Sequence, residues 1–196
     1  MNTRSARSYQ SPLREDQAEA TARRIVEAAI RVLERNPAAL SVPAVAREAG
    51  VAVPTVYHHY NDKAALTRAV SDSLDATAGL VPLSATSPAA LAEHIRSVFP
   101  RLNGRHALMA PAFRTAEGDA VRREQMARRA ARVRASLAAV SARMDAADFE
   151  NLVSIVTVLC TSETLGLLEK YLGLTGEDAG AAVAWAIIRL SEEHTA

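Results

Sequence analysis

The chain has 196 residues, 49% of them hydrophobic, with a net charge of +1 and a single cysteine. That length closes one or two small domains around a substantial core and no more. One cysteine excludes an intramolecular disulfide framework, and the near balance of charge excludes a generally basic coating protein. Charge is nevertheless uneven: residues 1–70 hold ten Lys or Arg against seven Asp or Glu, and the rest thirteen against fifteen, which turns the N-terminal part toward a polyanion.

Residues 1–16 carry Arg4, Arg7 and Arg14 without apolar periodicity and are expected to form a flexible arm rather than a signal peptide. Ile25, Ala28, Ala29, Val32 and Leu33 then form one face of a first helix. Ser41 is placed to cap a short second helix, Pro43 sits where a missing N–H costs little, and Val42, Val45, Ala46 and Ala49 recur at helical spacing. Gly50 ends that helix where only a residue at ease with positive φ does so cheaply. Pro54 opens a third helix in which Val56 and Tyr60 point inward, leaving Pro54, Thr55, Tyr57 and His58 on the outer surface. Hydroxyl, phenol and imidazole groups suit phosphate oxygens and base edges, and Lys63 follows at the start of a helix capped by Asp62. The spacing is that of a DNA-binding helix-turn-helix.

These residues resemble the TetR family of transcriptional regulators, from Thr21-Ala22-Arg23-Arg24-Ile25 through Val45-Ala46-Arg47-Glu48-Ala49-Gly50-Val51 to Pro54-Thr55-Val56-Tyr57-His58-His59-Tyr60-Asn61-Asp62-Lys63-Ala64-Ala65-Leu66. The resemblance implies an all-α fold of about nine helices. A small N-terminal helix-turn-helix domain binds DNA, and a larger C-terminal domain binds a ligand and dimerises. Residues 17–78 are assigned to the first, with the fourth helix (Leu66, Val70, Leu74) as its link, and residues 79–196 to the second. The chain departs from the family at Leu33, where an aromatic residue is usual, at Arg35-Asn36-Pro37, where a Gly is usual, and at Pro43, which replaces a polar side chain. The expected DNA surface takes in Ser41, Val42, Val53, Pro54, Thr55, Tyr57, His58, His59 and Lys63.

Gly79 to Pro88 breaks the helical pattern and marks the expected boundary. Beyond it a helix over residues 88–102 and a shorter piece over residues 106–115 precede an arginine-rich helix. In that helix Arg122, Arg123, Arg128, Arg129, Arg132 and Arg134 read as a solvated face. Phe99, Met109, Phe113, Met126, Glu163 and Trp185 are candidates for a pocket that takes a lipophilic inducer, with the core as the alternative place for the apolar ones. Glu163, a carboxylate in an apolar segment, is expected to pair with Lys170 or an interface Arg, or to meet a ligand. Two last segments, Asp145 to Tyr171 and Asp178 to Glu193, are apolar on more than one face. Leu152, Val153, Val156, Leu159, Ala182, Trp185 and Ala186 are therefore assigned to a two-fold homodimer interface. Thr175 and Asp178 resemble a capping box. Cys160 reads as a small core residue in a reducing compartment.

No phosphate-cradling Gly loop, nucleophile elbow or metal-ligand spacing is present in the sequence, so no metal, cofactor or catalytic residue is expected. The reading is a cytoplasmic, sequence-specific transcriptional regulator: a homodimeric repressor released from a palindromic operator by a small molecule, without membrane contact. The competing reading is a helical small-molecule binding protein or enzyme that no longer reads DNA.

Overall fold

A computed structural model describes residues 12–78, 85–102 and 108–192, and among these every regular element is helical. The helices are α1 (Pro12–Arg35), α2 (Val42–Ala49), α3 (Val53–His59), α4 (Lys63–Ala78), α5 (Pro88–Leu102), α6 (Ala116–Leu137), α7 (Ala146–Leu159), α8 (Ser162–Leu172) and α9 (Gly176–Glu192). Residues 1–11 of the expected arm lie outside the described residues, as do residues 79–84 of the expected boundary and 103–107. The remainder of the arm segment, from Pro12, belongs to α1.

The chain divides into two compact units at Val70/Ser71, inside α4 rather than in the Gly79 to Pro88 stretch. The reason is the way α4 spends its side chains. Leu66 and Val70, on the first-unit side of the division, are buried, whereas Ser71, Asp72 and Asp75 make polar bonds with α6 in the second.

In the first unit α1 packs against α2 and α3 through Ile25, Ala28, Ala29, Val32 and Leu33, all at most 5% exposed. The departure at Arg35-Asn36-Pro37 builds its own connection. Extended Asn36 caps a single 3-10 turn (Pro37–Ala39) by accepting from the Ala38 N–H at 3.1 Å, so the glycine usual there is not needed. Leu33 is fully buried and fills the core position expected of the absent aromatic ring.

In the second unit α5 and α9 pack most extensively on each other, around Leu91, Ile95, Phe99, Val183 and Ile187. Helices α6, α7 and α8 contribute Val133, Val153, Val156 and Leu165 to the same core. The expected single segment from Asp145 to Tyr171 is broken. Cys160 and Thr161 leave the helical path, Thr161 Oγ1 caps α8 by accepting from the Thr164 N–H at 3.1 Å, and α7 and α8 meet at 65°. Thr175 and Asp178 form the expected reciprocal cap at the start of α9. No single helix among the described residues is long and apolar enough to cross a membrane.

The piece expected over residues 106–115 is reduced, among its described residues, to a 3-10 turn at Ala112–Arg114 that folds back on the first turn of α6. That return is close enough to demand Gly118, where an added Cβ would stand 1.9 Å from the Ala112 carbonyl oxygen. Helix propensity alone would make Gly118→Ala stabilising by roughly 1 kcal/mol. The clash is with backbone and should win, giving a net loss of about 1–3 kcal/mol in urea unfolding. A gain in stability would show that the turn does not close on α6 as described.

Candidate nucleic-acid interface

Helix α2 begins where Ser41, in extended backbone, accepts the Ala44 N–H at 3.4 Å, and it ends at Gly50 with φ of 65°. The positive φ lets the Gly50 and Val51 N–H groups bond back to the Arg47 and Ala46 carbonyls, and the chain turns at once into α3. Nothing crowds Gly50, so its requirement is conformational and not steric.

Helix α3 is held from inside at two points. Val56 is fully buried, and the Tyr60 hydroxyl, just past the helix, donates to the Ala22 carbonyl of α1 at 3.2 Å. Partial burial raises the Tyr60 pKa, which keeps that phenol a donor. With Val56 and Tyr60 turned inward, Pro54, Tyr57 and His58 are exposed and Val53, Thr55 and His59 half-buried. Tyr57 is 47% exposed, a large ring with no packing role to explain it. The His58 and His59 rings meet edge to face at 5.5 Å. Among the described residues no group of three or more His, Cys, Asp or Glu could hold a metal. Asp62 caps α4 by accepting the Ala65 N–H at 2.7 Å, which fixes the backbone from which half-buried Lys63 projects.

Two of the nine expected contact residues change role. Val42 is only 5% exposed and packs into the core with Val45 and Ala46, because the inward stripe of α2 begins at its first residue. Ser41 is half-buried, and its hydroxyl already serves as the α2 cap. The other seven lie on α3 or at the start of α4. Sequence reading missed the fastening behind them: Glu48 on α2 accepts from Arg31 at 2.9 Å and from Arg35, both on α1. The i,i+4 spacing of Arg31 and Arg35 carried that signal.

The six candidates for the lipophilic pocket fall in different surroundings. Phe99 is fully buried and Met109 7% exposed, both as packed interior, while Trp185 is 64% exposed. Phe113 and Met126 are half-buried, with the Arg122 guanidinium 5.4 Å above the Phe113 ring. Glu163 pairs with Arg122 of the same chain, accepting at 2.6 Å, rather than with Lys170. A cleft of about 380 Å³ does exist, but it is lined by Asp72, Asp75, Ala76, Gln125, Arg128, Arg129 and Arg132, none of the six candidates.

The residues assigned to the dimer face divide between the interior and the surface. Leu152, Val153 and Val156 are at most 6% exposed inside the second unit, Leu159 packs against the same core, and Ala186 is half-buried. Ala182 and Trp185 remain exposed on α9, as do the large apolar side chains Ile155 and Val158 of α7 and Leu167, Tyr171 and Leu172 of α8. Cys160 is buried as expected, which pushes its thiol up to about 12 and keeps it protonated.

Residues 25–70 match the sequence profile of bacterial regulatory proteins of the tetR family. No curated protein matches the chain in sequence. In structure the chain is similar to a tetR-family transcriptional regulator from Streptomyces coelicolor, at 20% identity and a TM-score of 0.61, covering 88% of this chain and 80% of that one. A transcriptional regulator from Rhodococcus sp. Rha1 gives 19%, 0.60, 86% and 95% in the same terms. The multidrug binding protein EbrR, complexed with imidazole, gives 20%, 0.57, 86% and 93%.

Hydrogen bonds from Arg35 first and Arg31 second hold the Glu48 carboxyl at about 2, below its ordinary value of 4.5. A carboxyl depressed by folding contributes stability that is whole above its unfolded value and is lost as pH falls toward the folded one. Glu48→Gln should therefore unfold at lower urea than the parent protein at neutral pH, and the gap should close between about 4.5 and 2. A gap independent of pH would show that the ion pairs do not fasten α2 to α1.

Proposed function

We propose, from the premise that its N-terminal domain belongs to the TetR family of bacterial regulatory proteins, that this cytoplasmic chain is a homodimeric repressor. It reads a palindromic operator with α3 and leaves it when a small molecule binds the second unit. The observation that carries the reading is the outward set of exposed Pro54, Tyr57 and His58 with half-buried Thr55, on a helix whose inner face is fixed by Val56 and Tyr60. A rigid helix presenting short donors and acceptors can enter a major groove, where base edges offer a distinct pattern for each pair. Lys63 supplies the sequence-independent part: its ammonium, which meets no carboxylate among the described residues, can neutralise a phosphate beside the groove.

Palindromic sites require two copies of α3 related by a two-fold axis, roughly 34–36 Å apart over successive major grooves. The apolar side chains open on α7, α8 and α9 support such pairing, since a monomer in water has no use for Leu167, Tyr171, Leu172 and Trp185 at more than half exposure. Release follows if a ligand favours a dimer with a different separation of the two α3 helices. That EbrR is a multidrug binding protein supports a small-molecule role for the second unit.

Three substitutions separate the parts of the DNA surface. Lys63→Ala should reduce the salt dependence of binding to a random-sequence duplex by about one unit of slope, and Tyr57→Phe should weaken binding to all sequences by about 1 kcal/mol. Thr55→Ala should relax preference at one base position of the selected site by about 1–3 kcal/mol while leaving random-sequence binding intact. Fluorescence anisotropy over a salt series reads all three, and unchanged binding in all of them would remove α3 from the groove. For the dimer, Leu167→Glu with Trp185→Glu should shift sedimentation to the monomer while helicity by circular dichroism is kept. A dimer of unchanged stability would place the interface elsewhere.

A further inference from the structure

The cleft of the second unit is lined almost entirely by charged and polar residues, whose aliphatic stems supply its apolar surface. The last turns of α4 contribute Asp72, Asp75 and Ala76, and the middle of α6 contributes Gln125, Arg128, Arg129 and Arg132. Most of these polar groups are engaged. Gln125, 5% exposed, donates to the Ser71 hydroxyl. Arg128 spans Glu124 at 2.7 Å and Asp72 at 3.2 Å. Arg129, whose side chain is 8% exposed, donates to the Cys160 carbonyl and stands 3.8 Å from Asp75.

Arg132 is different. It lines the cleft half-buried one turn beyond Arg128, and its guanidinium has no hydrogen-bond or carboxylate partner among the described residues. Among the lining residues three guanidiniums face two carboxylates; Glu124, outside the lining, engages Arg128, and Arg132 is left as the cation with no carboxylate of its own. Burial also raises the Asp75 pKa, against the pull of Arg129 and Arg122, so the negative side of the balance is the weaker. A guanidinium presents a planar fork of donors that fits a carboxylate or a phosphate in two parallel bonds. The volume, about 380 Å³, lies at the small end of the roughly 300–1,000 Å³ of ligand sites.

We propose that this cleft is the effector site of the protein and that it takes a small organic anion, a carboxylate or a phosphate ester, seated on Arg132 with Arg128 beside it. The inference rests on the reading of the chain as a ligand-released regulator and names the ligand class. Its position explains how the ligand is felt: an anion on Arg128 competes with Asp72 for one of the three polar contacts that tie the last turns of α4 to α6. Helix α4 continues from there to Lys63.

The test uses the full chain and four probes of one ring size: benzoate, phenyl phosphate, neutral benzamide and cationic benzamidine, each at matched ionic strength. Thermal unfolding and isothermal titration should show binding of benzoate, phenyl phosphate or both, and of neither benzamide nor benzamidine. The two anions separate the carboxylate source from the phosphate source. Arg132→Gln should weaken that binding by about tenfold or more, as expected for loss of a charge-assisted pair, while Arg123→Gln, whose guanidinium is tied to Asp119 away from the cleft, should leave it unchanged. Binding of benzamidine alone, an equal response in Arg132→Gln, or no response to either anion would overturn the assignment. Ligand-free protein tested in parallel for DNA binding keeps the two failures apart. DNA binding without an anion response removes this site and spares the regulator reading, whereas anion binding on Arg132 without DNA binding does the reverse.

Discussion

A helix of seven residues is too short to persist in water on its own, so α3 takes both its existence and its orientation from what its inner face touches. That face is small: Val56 in the core, and the Tyr60 hydroxyl on the Ala22 carbonyl. Because so few contacts fix it, the rest of the first unit is organised to keep them in register. Gly50 sets the angle between α2 and α3, Asp62 fixes where α4 begins, and Glu48 ties α2 to two arginines of α1. The outer face is then left to polar groups that stabilise nothing in the chain itself. That arrangement is what recognition requires, since a reading helix that shifted with its ligand would lose discrimination between base pairs.

The second unit depends on a different balance. Helix α6 is amphipathic in the ordinary way at Val121, Val133 and Leu137, but its intervening turns bury Gln125 and Arg129. Buried polar groups are tolerated only when satisfied, and here each has a partner on another segment: Ser71 for Gln125, the Cys160 carbonyl and Asp75 for Arg129. The Cys160 carbonyl is available because the chain breaks there between α7 and α8, so the break and the buried arginine support each other. A polar seam of this kind is weaker than apolar packing and easier to rearrange with a charged molecule. The end of α4 is thereby held by bonds that a ligand can replace.

Much of the first unit was legible because its signals are local. Ser41, Gly50, Pro54 and Asp62 mark helix ends through their own backbone chemistry, and the i,i+4 pair Val56 and Tyr60 defines the inside of α3 without knowledge of any partner. The place of Val42 is not legible in the same way, because a first helical residue can serve either the cap or the core, and only packing decides. In the second unit periodicity ran out. Helix α7 is apolar nearly all round, so its spacing could not tell that Leu152, Val153 and Val156 face inward while Ile155 and Val158 stay open. Six arginines on one helix looked like a solvated face, and for Arg123 and Arg134, paired with Asp119 and Glu150, that holds. Nothing in the local sequence marks Arg129 as the buried one, since its partners lie 54 and 31 positions away. The break at Thr161 was within reach, because Thr161-Ser162-Glu163-Thr164 carries the residues of a helix start.

The central claim is that the outer face of α3 reads DNA in a two-fold pair. The most direct measurement is selection of bound duplexes from a randomised pool by the ligand-free protein at near-physiological salt, followed by sequencing. The account predicts enrichment of one site with two-fold symmetry and half-sites about one helical turn apart. A folded protein that enriches no sequence, or only a single asymmetric half-site, would contradict it.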